Sequence, residues 1–253
     1  MSLVETDWLE KNLINVKIID CSWHMPQTKR NGFKEYKNQH IPNSIFFDLD
    51  DNSKKDTNLP HMLVDINQWG KILSNMGIKN DDQIVIYDNS DVISSCRCWF
   101  NLIYFGHDPN LVHVLNGGMK KWIKENKEVT TNITNIQPSN YESFEKKELV
   151  KNKKLIDQNI NEQKFKVIDA RSKDRFEGKV QEPRKGLRSG SIKNSFCIPF
   201  DQCLNEDKTF KSKEDLKLIF KTCLENINEK NIVFSCGSGV TACVLALAYS
   251  LIN

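Results

Sequence analysis

Asn231-Ile-Val-Phe-Ser-Cys236-Gly-Ser-Gly-Val-Thr241, followed by Ala242-Cys-Val-Leu-Ala-Leu-Ala-Tyr249, decides how the chain is read. Ile232, Val233 and Phe234 form a short run of β-formers, as expected of a buried strand. From Ala242 the residues are strong helix formers, apolar on nearly every side, which predicts a helix packed inside the protein. The tight loop between them opens with a cysteine and carries two glycines. Glycine lets the loop's N–H groups turn inward, and the helix N-terminus adds partial positive charge. A cysteine so placed is favoured as a thiolate nucleophile, whereas most lone cysteines simply pack as small hydrophobes.

Cys236-Gly-Ser-Gly-Val-Thr-Ala242 resembles the active-site loop of the 3-mercaptopyruvate sulfurtransferases of the rhodanese superfamily. Rhodaneses that use thiosulfate usually carry a more basic loop after the cysteine, whereas Gly237-Ser238-Gly239 bears no charge.

The rest of the chain repeats this pattern loosely, which sets the architecture. Val16-Lys-Ile-Ile-Asp20 matches Phe165-Lys-Val-Ile-Asp169. His40-Ile-Pro-Asn-Ser-Ile-Phe-Phe-Asp48 matches Ser191-Ile-Lys-Asn-Ser-Phe-Cys-Ile-Pro-Phe-Asp201, and Gln83-Ile-Val-Ile-Tyr-Asp88 matches Asn231 to Cys236. Helices are expected over Val4 to Leu13 before the first strand and over Lys146 to Ile160 before its second-half counterpart. Strands alternating with helical stretches predict an α/β fold of two rhodanese-like domains, each a parallel sheet flanked by helices. A polar stretch from Lys124 to Asn140 places a first domain at 1–140 and a second, catalytic one at 141–253. Asp88 stands where Cys236 stands in the second repeat, and an aspartate cannot attack sulfur, so the first domain is expected to be chemically silent. Beyond its Asp88 loop the first repeat continues through a helix, the strand Leu111 to Leu115, the Asn116-Gly-Gly118 turn and a helix around Trp122. The second has no counterpart of that strand and the helix after it. The expectation is therefore that this domain is C-terminally short, from a truncated longer enzyme or one completed by another chain.

Composition narrows the function classes. The 253 residues are 39% hydrophobic and 27% charged, as suits a globular protein with a substantial core. The net charge of +3 spreads lysines among almost as many acids, which argues against a nucleic-acid partner. No apolar run approaches a membrane span, and the acidic start Met-Ser-Leu-Val-Glu-Thr-Asp-Trp lacks the form of a signal peptide, so a cytoplasmic protein is expected. Eight cysteines show no Cys-x-x-Cys pair, which argues for a reducing compartment and no metal. Six arginines stand against thirty lysines, and four of the six fall between residues 171 and 188. In a chain that otherwise writes positive charge as lysine, such a cluster suggests forked donors aimed at an oxyanion, an accidental surface cluster being the alternative.

The resemblance implies roles for particular residues. Cys236 would carry sulfur as a persulfide, with N–H groups from Gly237, Gly239, Val240 and Thr241 holding the outer sulfur. Arg175 and Arg184 match the family's two arginines for the donor's carboxylate, in Asp174-Arg175-Phe and Glu182-Pro-Arg184. Arg97 resembles a first-domain arginine that faces the cleft, a structural ion pair being the other reading. Asp50, His61 and Ser238 match a proton relay, a histidine oriented by a carboxylate making a hydroxyl into a shuttle. The expected partners are a small-molecule sulfur donor and an acceptor thiol, thioredoxin or a small one, with no cofactor. A thiosulfate sulfurtransferase and a non-catalytic binding module of the same fold are the competing readings. A phosphatase is disfavoured because no arginine closes the loop after Cys236.

Overall fold

The computed structural model describes residues 2–226 and 230–253. The chain forms two compact units, Met1–Lys147 with Glu206–Thr209, and Glu148–Asn205 with Phe210–Asn253.

In the first unit the elements run β1 (Leu3–Val4), α1 (Thr6–Asn12), β2 (Lys17–Asp20), α2 (Gly32–Asn38), β3 (Ser44–Phe46) and α3 (Ile66–Asn75), then β4 (Ile84–Tyr87), α4 (Ser95–Tyr104), β5 (Val112–Leu115) and α5 (Gly118–Lys124). The five strands lie in the order β1-β5-β4-β2-β3, and every pairing is parallel. Strand β4 reads Ile-Val-Ile-Tyr and is buried throughout, as a central parallel strand covered on both faces should be. On one face Val85 and Tyr87 pack with Leu9, Ile18, Leu115, Met119 and Trp122. Ile84 and Ile86 point to the opposite face by the two-residue period of a strand. Polar side chains start several helices: Asp65 accepts the N–H groups of Asn67 and Gln68 at α3, and Asn31 that of Lys34 at α2. The predicted helix over Val4 to Leu13 is shorter than expected, because Leu3 and Val4 pair with Val114 and Leu115 as an edge strand instead.

The second unit repeats the plan in shorter form, with α6 (Lys153–Glu162), β6 (Lys166–Asp169), α7 (Lys173–Phe176), β7 (Phe196–Cys197), α8 (Lys213–Lys221), β8 (Ile232–Ser235) and α9 (Thr241–Ser250). The helix expected from Lys146 begins instead at Lys153, where the Asn152 side chain caps it through Leu155 N–H. The three strands lie in the parallel order β7-β6-β8. Among the described residues β8 has one strand neighbour, whereas its counterpart β4 has two. This is why β8 is half-buried rather than buried as its sequence suggests. Helix α9 is apolar all round as predicted, with Val244, Leu245, Leu247 and Ala248 fully enclosed.

The polar stretch after α5 is not a free linker. From Glu128 to Lys146 it straps the first unit without forming a helix or sheet of its own. Thr130 exchanges backbone hydrogen bonds with His40 at 2.9 Å, Ser139 N–H donates to Ser74 at 2.9 Å, and Phe144 N–H donates to Phe105 at 3.0 Å. The strap lies so close that a Cβ on Gly77 would meet the Gln137 carbonyl at 2.6 Å, and one on Gly106 would meet that of Phe144 at 2.9 Å. Both glycines also have positive φ, so no other residue serves at either place without strain.

Asp20 closes β2 at 3% exposure, its carboxylate accepting the Ser22 N–H at 2.9 Å. Burial pushes its carboxyl up to about 7, against hydrogen bonds from Ser22 and Tyr87 that favour the charged form. The folded state therefore keeps a proton that the unfolded chain releases near 3.8. The stability this contributes is complete below that value and is lost as pH rises through about 7. Asp20→Asn, which cannot ionise, should accordingly gain roughly 2 kcal/mol relative to wild type on going from about pH 5.5 to about pH 8. Thermal melts of both proteins at the two pH values measure this, and a constant difference would show that Asp20 titrates as an ordinary carboxyl.

Candidate active site

Two backbone hydrogen bonds fix the equivalence of the two loops. Cys21 N–H donates to the Tyr87 carbonyl at 2.9 Å in the first unit, and Ala170 N–H donates to the Ser235 carbonyl at 2.8 Å in the second. The next residues, Asp88 and Cys236, therefore sit at the same place, at the carboxyl end of a parallel strand and before a helix. Asn43 and Asn194 confirm the register at the neighbouring strand, each left-handed with φ of 65° and 64°.

The two positions are filled in different ways. The Asp88 carboxylate accepts Ser90 N–H at 2.8 Å, the Ser90 hydroxyl at 2.9 Å and Ser95 N–H at 2.9 Å. The anion site at the start of α4 is thus satisfied by the chain's own carboxylate. At Cys236 the thiol sulfur accepts Gly239 N–H at 3.1 Å. Gly239 has φ +80, which turns that N–H back toward the sulfur, and its carbonyl accepts the Cys243 thiol from the first turn of α9 at 3.0 Å. The N-cap residue of α9 is Val240, which has no side-chain cap to offer, and the partial positive charge of the helix N-terminus lies beside the sulfur. Val240 is buried at the loop's end, and Ser238 lies between the two glycines.

The arginine cluster is built against this loop. Arg184 Nη2 donates to the Gly237 carbonyl at 2.5 Å. Arg175 Nη2 lies 3.4 Å from where a Cβ on Gly237 would be. Both arginines singled out from the sequence therefore converge on the residue next to Cys236. Arg175 is itself held as a fork, Nε to Glu182 Oε1 at 3.1 Å and Nη2 to Glu182 Oε2 at 2.6 Å. Glu182 Oε1 also accepts Arg171 Nη1 at 2.8 Å, and Arg171 closes on both oxygens of Asp169 at the end of β6. Arg171, given no role from sequence, thus braces the cluster, while Arg188 is exposed and among the described residues reaches the Ser191 carbonyl. The hydrogen bonds of Arg175, and then its charge, hold the Glu182 carboxyl below the usual range.

In the first unit the structure brings Asp50 and His61 together, Nε2 to Oδ1 at 2.9 Å. The His61 hydrogen bond holds the Asp50 carboxyl below its ordinary value, with a further lowering from Trp23. Trp23 Nε1 donates to Asp50 Oδ2 at 3.0 Å, and its indole meets the His61 ring edge-on with centroids 4.7 Å apart. Arg97 is buried on α4 and its Nη2 donates to the His61 carbonyl at 2.6 Å, which supports a left-handed His61 with φ +56. Ser238, the third residue of the expected relay, belongs to the second unit.

Sequence reasoning missed Trp23 and Glu182. Trp23 stands just past the carboxyl end of β2, where open α/β sheets gather their site residues, and Glu182 is an acid inside the arginine cluster. Two of the other thiols are poorly suited to chemistry, since burial pushes Cys197 up to about 11 and Cys203 to about 12. None of the eight cysteines is in a disulfide, and no described group of acids, histidines and cysteines could hold a metal ion.

Comparison with known proteins supplies the family. The model of the rhodanese-like domain matches twice, over residues 5–125 and 152–252. A mitochondrial thiosulfate/3-mercaptopyruvate sulfurtransferase of Arabidopsis thaliana is 37% identical over 97% of this chain and 70% of its own length. The thiosulfate sulfurtransferase of Rattus norvegicus is 34% identical over 98% of this chain and 85% of its own. Among solved structures, the 3-mercaptopyruvate sulfurtransferase SseA of Escherichia coli superposes with a TM-score of 0.89 at 29% identity, covering 100% of this chain and 94% of that one. A repeated fold, with Cys236 in one loop and Asp88 at the same place in the other, agrees with these matches: the chain is a tandem-domain member of the rhodanese-like family and has the fold of a sulfurtransferase enzyme.

Proposed function

We propose that the protein transfers sulfur from 3-mercaptopyruvate through a persulfide on Cys236 to an acceptor thiol or cyanide, releasing pyruvate. The observation that carries this reading is the convergence of Arg175 and Arg184 on Gly237, beside a cysteine loop with no charge of its own. Forked guanidinium donors suit the donor's carboxylate and leave its sulfur within reach of the thiolate.

The Cys236 thiolate attacks the donor's sulfur, and the carbon–sulfur bond breaks. The electron pair of that bond passes to the three-carbon fragment as the enolate of pyruvate, and Cys236 is left as Cys–S–SH. Gly239 N–H, which already meets the thiol sulfur, and the N-terminus of α9 stabilise the anionic persulfide. Ser238, beside the thiol in the loop, delivers a proton to the enolate carbon. An acceptor thiolate, from thioredoxin or a small thiol, then attacks the outer sulfur and restores Cys236. Eight cysteines outside any disulfide suit a reducing, cytoplasmic setting, and no described helix is long and apolar enough to cross a membrane. Thiosulfate is the second donor considered, because relatives of comparable identity carry its name.

Cys236→Ser should abolish transfer with the fold intact, since a hydroxyl cannot become a persulfide. Mass spectrometry after donor treatment should find one added sulfur on the wild type alone, and label on Cys243 or Cys223 would refute the assignment. Arg184→Lys and Arg175→Lys should each reduce kcat/KM for 3-mercaptopyruvate by tenfold or more, roughly 1.5–3 kcal/mol for a lost bidentate contact, and for thiosulfate far less. Equal losses with both donors would reduce the two arginines to a structural role.

A further inference from the structure

The arginine cluster carries an internal charge balance. Asp169 and Glu182 face Arg171 and Arg175 in one connected network, with side chains 4% and 5% exposed for the two acids. Two carboxylates offset two guanidiniums. Arg184 stands outside that network, held by the Gly237 carbonyl, and has no carboxylate within ion-pair distance among the described residues. The cluster therefore presents one net positive charge to whatever lies beside the Cys236 loop, although it contains three arginines.

We infer that Glu182 determines donor specificity: by clamping Arg175 in its forked pose and cancelling its charge, it matches the site to a donor carrying one negative charge and against one carrying two. This rests on the donor site proposed above. 3-Mercaptopyruvate with its thiol protonated is a monoanion, and thiosulfate is a dianion. Glu182 touches neither reacting atom, so it is a positioning residue that acts through Arg175. Its place in the sequence adds a mechanical link, since Pro183 alone separates it from Arg184. One glutamate thus fixes Arg175 by hydrogen bonds and Arg184 by chain connectivity.

Removing the negative charge while keeping the side chain's size is the direct test. In Glu182→Gln the cluster gains one net positive charge, which a dianion feels twice as strongly as a monoanion. At an effective dielectric of about 20–30 and a separation of roughly 8–10 Å, that extra unit corresponds to about tenfold. The ratio of kcat/KM for thiosulfate to that for 3-mercaptopyruvate, with cyanide as acceptor, should rise by about this factor. The dependence of the thiosulfate KM on ionic strength should steepen. Glu182→Asp, which keeps the charge, should hold the wild-type ratio. Equal losses for both donors with an unchanged salt dependence would overturn the inference and leave Glu182 a structural brace. If Glu182→Gln does not fold, the double variant Arg175→Gln/Glu182→Gln decides, because it removes the pair without changing net charge. Both activities should then fall with the salt dependence kept, and a gain on thiosulfate there would refute the charge argument. A wild type that loads sulfur on Cys236 from neither donor would instead refute the proposed function itself.

Discussion

Everything in this protein hangs on an anion placed where a parallel strand gives way to a helix. The strand delivers a side chain to the sheet's carboxyl edge, and the following helix offers N–H groups and a partial positive charge to receive it. The first unit meets that demand with Asp88, whose oxygens take three donors of the loop and leave nothing for chemistry. In the second it is met with a sulfur that holds one N–H. A carboxylate satisfies the site permanently, whereas under the function proposed above the sulfur would leave it to attack and return as a persulfide. Stability and reactivity are two occupancies of one electrostatic device.

The guanidiniums are arranged by the same economy. Four arginines lie within a short stretch, yet they are not four equivalent charges. Arg171 closes on the acid that ends β6, Arg175 is clamped by Glu182, Arg184 leans on the Cys236 loop, and Arg188 is exposed. Forked geometry makes this division possible, because a planar group can hold a carboxylate along one edge while presenting the other. Lysines in those places would supply as much charge and far less direction.

How much of this could be read from the chain follows from the range of each signal. The parallel sheets, the double plan and the pairing of Asp88 with Cys236 were legible, because they rest on local apolar runs and on motifs recurring in one order. Arg175 and Arg184 were singled out from composition and resemblance, but their convergence on Gly237 was not legible. Glu182 and Trp23 were hidden, since their importance lies in partners reached across a fold: Glu182 clamps Arg175 seven residues before it, and Trp23 reaches Asp50 across 27 positions. Edge strand β1 was hidden as well, because two residues carry no period and their pairing is settled by β5, more than a hundred residues on. The strap from Glu128 to Lys146 looked like a linker because most of its hydrogen bonds use backbone groups at one end or both, and polar composition says nothing about those.

That strap separates two meanings of the word domain. The matched family segment ends at residue 125, just after α5, whereas the first compact unit runs on to Lys147. What is inherited as a module is therefore smaller than what packs as one. The extra turn of chain seals the clefts above Gly77 and Gly106, whose missing side chains exist to admit it. A fragment cut at the inherited boundary would keep its whole sheet and still expose two backbone grooves shaped for a tail it no longer has. In the two halves of a duplicated protein, then, it is the stretch outside the repeat that gives one copy its closed surface.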